Sequence, residues 1–178
     1  PGETSELLKR WALEEGFDRA GVIDLRKSDY GDAYRSWIGK ERHAGMAYLA
    51  RRIEHRLDPQ TLVPGARSVL CVALQYANGE EEEVEGDLWP RVARYARGRD
   101  YHDLMGERLE RLRERNESEL PGTSARWYVA TGPVLERELP ARAGLGPVVQ
   151  NTDPLHPAPG SSCFLGRVGR KAAGTGPR

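Results

Sequence analysis

The sequence predicts an α/β fold, a mixed α+β sandwich in a single domain, from three observations. The chain has 178 residues, which is enough for one hydrophobic core. Helical apolar patterns alternate with short apolar runs of strand length, and no internal repeat is visible. The run RSVLCVALQY, residues 67–76, is almost continuously apolar, which predicts a central strand buried on both faces.

Four elements are predicted before this strand. The first pattern places Leu7, Leu8 and Trp11 on one helical face and ends at Gly16. Pro59 ends the last of the four, because proline disfavours a helical conformation in the residue before it. The predicted elements are a helix over residues 4–16, a strand over 19–25, and helices over 30–42 and 46–56.

The second half begins with an acidic run, residues 78–87, which predicts a solvated loop because its charges repel one another. Gly144 and Gly146 follow a helix and lack the third glycine of a dinucleotide-binding fingerprint, so they predict the end of that helix. The remaining predicted elements are a charged helix over residues 101–116, a strand over 125–130, a helix over 133–143 and a last strand over 162–168.

The charge balance gives the chain no strong overall electrostatic field. Lys plus Arg and Asp plus Glu both number 27, so the net charge attracts neither nucleic acid nor an anionic membrane. No apolar run approaches the ~18 to 20 residues of a membrane-spanning helix. We therefore expect a soluble, cytoplasmic monomer without a membrane partner.

The cysteine content limits the metal chemistry of the chain. Its two cysteines, Cys71 and Cys163, provide neither a disulfide framework nor the four thiolates that an iron–sulfur cluster normally takes. No metal site is therefore predicted. Both cysteines are expected to be small buried hydrophobic residues.

The stretch YARGRDYH, residues 95–102, is the first candidate binding site. Arginine binds anions and a helix N-terminus adds a positive dipole end, so the stretch suits a phosphate or an amide-rich ligand. The alternative, which the pattern alone favours, is that Asp100 caps the helix, the arginines are solvated and His102 makes a structural hydrogen bond. The groups that surround Gly98 are Tyr95, Arg97, Arg99, Asp100, Tyr101 and His102.

The turn in YVATGPVLERELPARAGLG, residues 128–146, is the second candidate. Pro133 suits an early helical position, and the exposed N–H groups of the turn could receive an anionic ligand. Several charged side chains could point into a site or remain on the surface, which the pattern slightly favours. These side chains are Glu136 and Arg137 after the turn, and Arg51, Arg52 and Arg56 on the earlier predicted helix.

Five stretches in a specific order and spacing carry a resemblance: GMAYLARRIEHRLDP, LVPGARSVL, YARGRDYH, TGPVLER and RAGLG. Together they resemble the N-terminal domain of epoxyqueuosine reductase, the cobalamin-dependent enzyme of tRNA queuosine synthesis. The resemblance extends from about Glu3 to Gly166. It implies a cobalamin-binding domain over residues 1–166, which leaves residues 167–178 as a disordered tail.

The resemblance also implies the chemistry. In this family, two 4Fe–4S clusters in a ferredoxin-like domain reduce the cobalt. The reduced cofactor then removes the epoxide oxygen of epoxyqueuosine at the wobble position of a tRNA. We expect a chain truncated before the cluster domain, whose partners are a tRNA substrate and an electron donor.

The site residues carry over position by position. The family's catalytic acid, an aspartate before the S/T-x-P turn, corresponds to Ala130, so no catalytic residue is assigned. Downstream, Pro147, Val149 and Gln150 replace the family's Trp, Gly and Lys. The residues that the resemblance places along the corrin are Arg56, Tyr95, Asp100, Tyr101, His102, Thr131, Gly132, Asn151, Gly160 and Ser161.

Three hypotheses follow from these residues. The first is the cobalamin-binding domain of an oxidoreductase that reduces epoxyqueuosine, inactive alone because of Ala130 and the missing clusters. The second is a non-catalytic remnant that binds a corrinoid or tRNA. The third is an altered gene model whose chain folds poorly.

Overall fold

The computed structural model describes residues 2–75, 98–129, 135 and 138–146, together with the backbone of residues 163–171. Two 3₁₀ turns, Ala47–Leu49 and Pro59–Thr61, interrupt the chain before the second strand. The helices and strands are α1 (Gly2–Glu14), β1 (Arg19–Asp24), α2 (Gly31–Gly39), α3 (Ile53–Leu57), β2 (Ala66–Gln75), α4 (Tyr101–Glu119), β3 (Ser124–Val129), α5 (Glu138–Arg142) and β4 (Cys163–Lys171).

The strands form one antiparallel sheet with the order β1-β2-β4-β3. Strand β2 lies inside the sheet, between β1 and β4, and most of its residues are buried. The predicted central strand is therefore confirmed, and the helices on the sheet confirm the mixed α/β class. Within the described residues, no helix is long and apolar enough to cross a membrane.

One face of the sheet packs against α1 and α4. Leu70, Val72 and Leu74 of β2 project into this core, because alternate strand residues point to one face. Met105 and Leu109 of α4 are fully buried against them. This layer also contains the apolar face of α1, as its periodicity predicts.

The other face carries a smaller core. Val69, Cys71 and Ala73 of β2 pack there against Leu139 of α5 and Leu145 beyond it. Cys71 is only 1% exposed, which confirms its expected place among small buried hydrophobic residues. The side chain of Cys163 lies outside the described residues. Strand β2 therefore separates two cores, which explains its nearly continuous apolar sequence.

Helices α1 and α5 both end at a glycine with positive φ. At the end of α1, Gly16 has φ 85° and its N–H donates to the Leu13 carbonyl at 3.0 Å. At the end of α5, Gly144 has φ 74° and donates to the Ala141 carbonyl at 3.1 Å, while Leu145 N–H reaches the Pro140 carbonyl at 3.0 Å. These paired bonds form a Schellman motif. The predicted helix end at Gly144 is confirmed.

Three sequence predictions are wrong in their boundaries. The helix over 46–56 is broken, because Arg52 has φ 54° and α3 begins only at Ile53. Helix α5 begins at Glu138 and Leu135 is not helical, so the helix predicted over 133–143 begins later than expected. Strand β4 continues through Lys171, so residues 167–171 belong to the sheet and the predicted tail begins too early.

A close backbone contact holds α5 on β1 and generates the first prediction. A Cβ on Gly21 would lie 2.2 Å from the Ala143 carbonyl oxygen. Gly21→Ala should therefore lower the free energy of unfolding by about 1–3 kcal/mol, the usual cost of overpacking. Gly39→Ala is the matched control, since a Cβ there meets nothing within 4 Å. Urea unfolding of Gly21→Ala at the wild-type midpoint would contradict the contact.

Candidate functional site

The structure describes four of the residues that the resemblance places in the site. Arg56 lies on α3, while Asp100, Tyr101 and His102 lie at the start of α4. The other positions lie outside the described residues: Tyr95, Ala130, Thr131, Gly132, Asn151, Gly160 and Ser161.

Asp100 is the N-cap of α4. Its Oδ1 accepts a hydrogen bond from the backbone N–H of His102 at 2.8 Å and lies 2.9 Å from Nδ1 of the same histidine. The backbone hydrogen bond is the main reason that the pKa of Asp100 lies below its ordinary value. The capping interpretation is therefore confirmed, and so is the structural hydrogen bond of His102.

The aromatic groups at this helix end form a stack. The rings of Tyr101 and His102 lie 4.0 Å apart between centroids, with an interplanar angle of 29°. The side chain of His102 is 41% exposed, and Arg99 forms an exposed ion pair with Glu107. The start of α4 therefore offers a half-exposed imidazole beside an aromatic ring, and Asp100 and Glu107 are already engaged.

A second group of polar side chains surrounds Arg56. Its Nη2 donates to the Tyr48 carbonyl at 3.3 Å, but its Nε is buried without a hydrogen-bond partner among the described residues. Nη1 of Arg142 is buried and equally lacks a hydrogen bond within the described part of the chain. Both arginines line one small cavity, whose other walls are Arg26, Ser28, Pro59, Leu135, Glu138 and Leu139.

Glu138 is the acidic group of this cavity. It is 7% exposed, and its carboxylate accepts hydrogen bonds from Ser28 Oγ and, at 3.1 Å, from the backbone N–H of Asp29. Nη1 of Arg142 lies 3.8 Å from the same carboxylate. Two neutral donors and the Arg142 guanidinium thus surround the Glu138 carboxylate.

The loop after β1 holds the third arginine at the rim. Arg26 pairs with Asp29 through two contacts, of 2.5 and 2.6 Å. The hydrogen bond from Arg26 is the main reason that the pKa of Asp29 is lowered. The sequence did not predict that Arg26, Ser28, Glu138 and Arg142 lie near Arg56, because only long-range packing brings them together. The one local signal was the spacing of Glu138 and Arg142, one helical turn apart.

The two groups of described site residues lie on elements that cover opposite faces of the sheet. Helix α4 packs on the larger core, whereas α5 and the cavity beside Arg56 lie over the smaller one. The segments that would connect the two groups, residues 130–134 and 147–162, lie outside the described residues. A single corrin site that includes both groups stays a prediction.

A family model and curated relatives both indicate similarity to epoxyqueuosine reductases. The family model described as "Epoxyqueuosine reductase QueG, DUF1730" matches residues 56–131, which include both groups. An epoxyqueuosine reductase of Xanthomonas campestris is 36% identical over 172 residues, covering 94% of this chain and 48% of the relative. Nearly all of this chain therefore resembles an epoxyqueuosine reductase. The chain spans about half the length of the curated relatives it matches.

Solved structures agree on the fold. An epoxyqueuosine reductase crystallised with an epoxyqueuosine-modified stem-loop of tyrosine tRNA has a TM-score of 0.78 and 26% identity, and the match covers 94% of this chain and 45% of that one. A reductive dehalogenase whose structure suggests a mechanism for B12-dependent dehalogenation has a TM-score of 0.59 at 22% identity, over 95% of this chain and 20% of that one. The latter match establishes the fold alone.

The cap of α4 generates the second prediction. Asp100→Ala should unfold at a lower urea concentration than the wild type, whereas Asp100→Asn, which keeps a capping oxygen, should stay close to it. Because folding lowers the pKa of Asp100, its contribution is complete above the unfolded-state pKa of ~3.9 and is lost as the pH falls through the lowered value. Equal midpoints for the Ala and Asn variants at pH 7 would contradict the cap.

Proposed function

We propose that this domain binds a corrinoid and that, together with a source of electrons, it serves the reduction of epoxyqueuosine in tRNA. The observation that carries the proposal is that a buried N–H of Arg56 and one of Arg142 find no hydrogen-bond acceptor among the described residues. The crevice that they line is too small to enclose a corrinoid, so the ligand would lie at its edge. The resemblance to epoxyqueuosine reductases supports the proposal further. Its setting would be the cytoplasm, where the chain acts as a monomer on tRNA.

The unpartnered donors fit the chemistry of a corrinoid. A buried donor without an acceptor costs free energy, so a native structure rarely leaves one unless a ligand or water completes it. Corrinoids carry many amide carbonyls and, in cobalamin, a phosphate, all of which accept hydrogen bonds from guanidinium groups. Among the described residues Arg56 forms no salt bridge, so its guanidinium group could donate to such acceptors.

Different residues of this chain would make different contacts with the corrinoid. Arg56 would donate to the ligand, while its bond to the Tyr48 carbonyl fixes its position. Tyr101 and His102 would contact the corrin edge, because their stacked rings lie at the start of α4. By resemblance, the remaining contacts come from Tyr95, Thr131, Gly132, Asn151, Gly160 and Ser161. When bound, a corrinoid supplies a redox-active cobalt.

Electrons and the proton require groups beyond the described cavity. The chain has two cysteines, and Cys71 is buried in the smaller core, so 4Fe–4S clusters outside residues 1–178 would supply the electrons. Asp100 is unsuited as the acid, since its pKa is lowered and both of its contacts hold the carboxylate form. Ala130 occupies the family's acid position, and an alanine side chain donates no proton.

Ala130 supports a second candidate function. A domain that keeps the corrinoid cavity but lacks the acid would be a non-catalytic binding module for a corrinoid or tRNA. The two functions differ in turnover: the first requires reduction of epoxyqueuosine when an electron donor is supplied, and the second requires binding without reduction.

The third prediction tests the corrinoid proposal by titration of the chain with cob(II)alamin, followed by absorption and electron paramagnetic resonance. We expect saturable binding at one site, weakened about tenfold or more in Arg56→Ala, because hydrogen bonds to charged groups contribute about 1.5–3 kcal/mol. Arg35→Ala is the matched control, since Arg35 is exposed and pairs with Glu54 at 2.9 Å. A folded chain that binds no cobalamin would contradict the proposal.

A further inference from the structure

Residues 40–52, here called the 40–52 segment, connect α2 to α3 over the surface of the protein. Among the described residues, four large hydrophobic side chains are exposed, and two of them lie close together in this segment: Met46 at 43% and Tyr48 at 56%. The Tyr48 hydroxyl lies 3.6 Å from the Met46 sulfur. The two side chains together form a small exposed apolar patch.

The 40–52 segment is also strongly cationic. It contains four basic residues and one acidic residue, Glu41, in a chain whose formal net charge is zero. All four basic residues are exposed, and none forms a salt bridge with any other described residue. They are Lys40, Arg42, Arg51 and Arg52.

The backbone of the 40–52 segment is held in an unusual shape. Glu41, Ala44 and Arg52 have φ values of 52°, 48° and 54°, and they are the positive-φ residues other than glycine in the described chain. Such conformations cost free energy and persist only where surrounding contacts impose them. Two hydrogen bonds hold this segment: the Tyr34 hydroxyl donates to the Leu49 carbonyl at 2.8 Å, and Arg56 donates to the Tyr48 carbonyl.

We propose that the 40–52 segment binds an unpaired nucleotide of an RNA loop, with the Tyr48 ring stacked on the base and the neighbouring basic side chains on its phosphates. The inference rests on the proposed function and names the surface that tRNA would contact. Exposed aromatic rings among arginines and lysines bind single strands because every base has a stacking face and every phosphate a negative charge.

The position of the segment supports this partner. Arg56 borders the cavity proposed for the corrinoid and also fixes the backbone of Tyr48. A base stacked on Tyr48 would therefore lie beside the cofactor rather than on a remote face. Charge complementarity argues in the same direction, since this segment carries four Lys and Arg residues against one Glu in a chain whose net charge is zero.

The test measures fluorescence anisotropy with the anticodon stem-loop of tyrosine tRNA and, for comparison, an RNA duplex without unpaired bases. We expect Tyr48→Ala to weaken stem-loop binding about five- to 150-fold, the factor that stacking on an aromatic ring contributes, and Tyr48→Phe to retain it. Leu13→Ala is the matched control, because Leu13 is 52% exposed on α1. Binding of the duplex should not respond to Tyr48→Ala.

The salt dependence of stem-loop binding tests the contribution of the basic side chains. Arg51→Gln should reduce the slope of log affinity against log salt concentration by about 0.7, whereas Arg10→Gln on α1 should not. Unchanged stem-loop binding in Tyr48→Ala would overturn the inference. A chain that binds cobalamin but no stem-loop would also overturn it while leaving the corrinoid proposal intact, and a chain that binds neither would overturn both.

Discussion

The approach of the Ala143 carbonyl to Gly21 determines where the charged side chains of the cavity lie. Any side chain at residue 21 would meet that oxygen, so the turn after α5 reaches the sheet only over a glycine. The contact places Glu138 and Arg142 over the loop after β1, where Ser28 and Asp29 bind the Glu138 carboxylate. Arg56 meets them from α3. The cavity is thus a consequence of backbone packing.

Arginines on α4 differ from those near the proposed binding site in how they are paired. On α4, arginines form salt bridges within the protein: Arg113 pairs with Glu110 at 2.7 Å and Arg115 with Glu14 at 2.6 Å. Around α3 and α5 the balance is different, because a buried N–H of Arg56 and one of Arg142 lack hydrogen-bond acceptors among the described residues. Since a folded protein normally satisfies its buried donors, this difference supports the proposal that a ligand binds on that side of the sheet.

Local sequence signals predicted the features that depend on local physics. The centrality of β2 follows from its uninterrupted apolar run, the cap of α4 from Asp100, and the end of α5 from Gly144, since each requires only neighbouring residues. The cavity could not be predicted in this way. Ser28 and Glu138 are 110 residues apart, and their contact exists only because α5 docks on β1.

The broken helix before α3 shows the same limit. An apolar period across residues 46–56 favours a helix, but the fold places the Tyr48 and Leu49 carbonyls against Arg56 and Tyr34. Those two bonds and the left-handed Arg52 are incompatible with a continuous helix. Tertiary contacts therefore override local propensity, and they do so beside the cavity that we assign to the cofactor.

Hydrogen–deuterium exchange of the chain with and without cobalamin is the most direct test of whether a corrinoid binds beside Arg56 and Arg142. The method locates the ligand without altering the protein. We predict slower exchange at residues 53–57 and 138–146, which carry Arg56 and Arg142, while the middle of α4 exchanges as in the free chain. Saturating cobalamin that leaves both regions unchanged, or that slows exchange only elsewhere, would contradict the assignment of the cavity to the corrinoid.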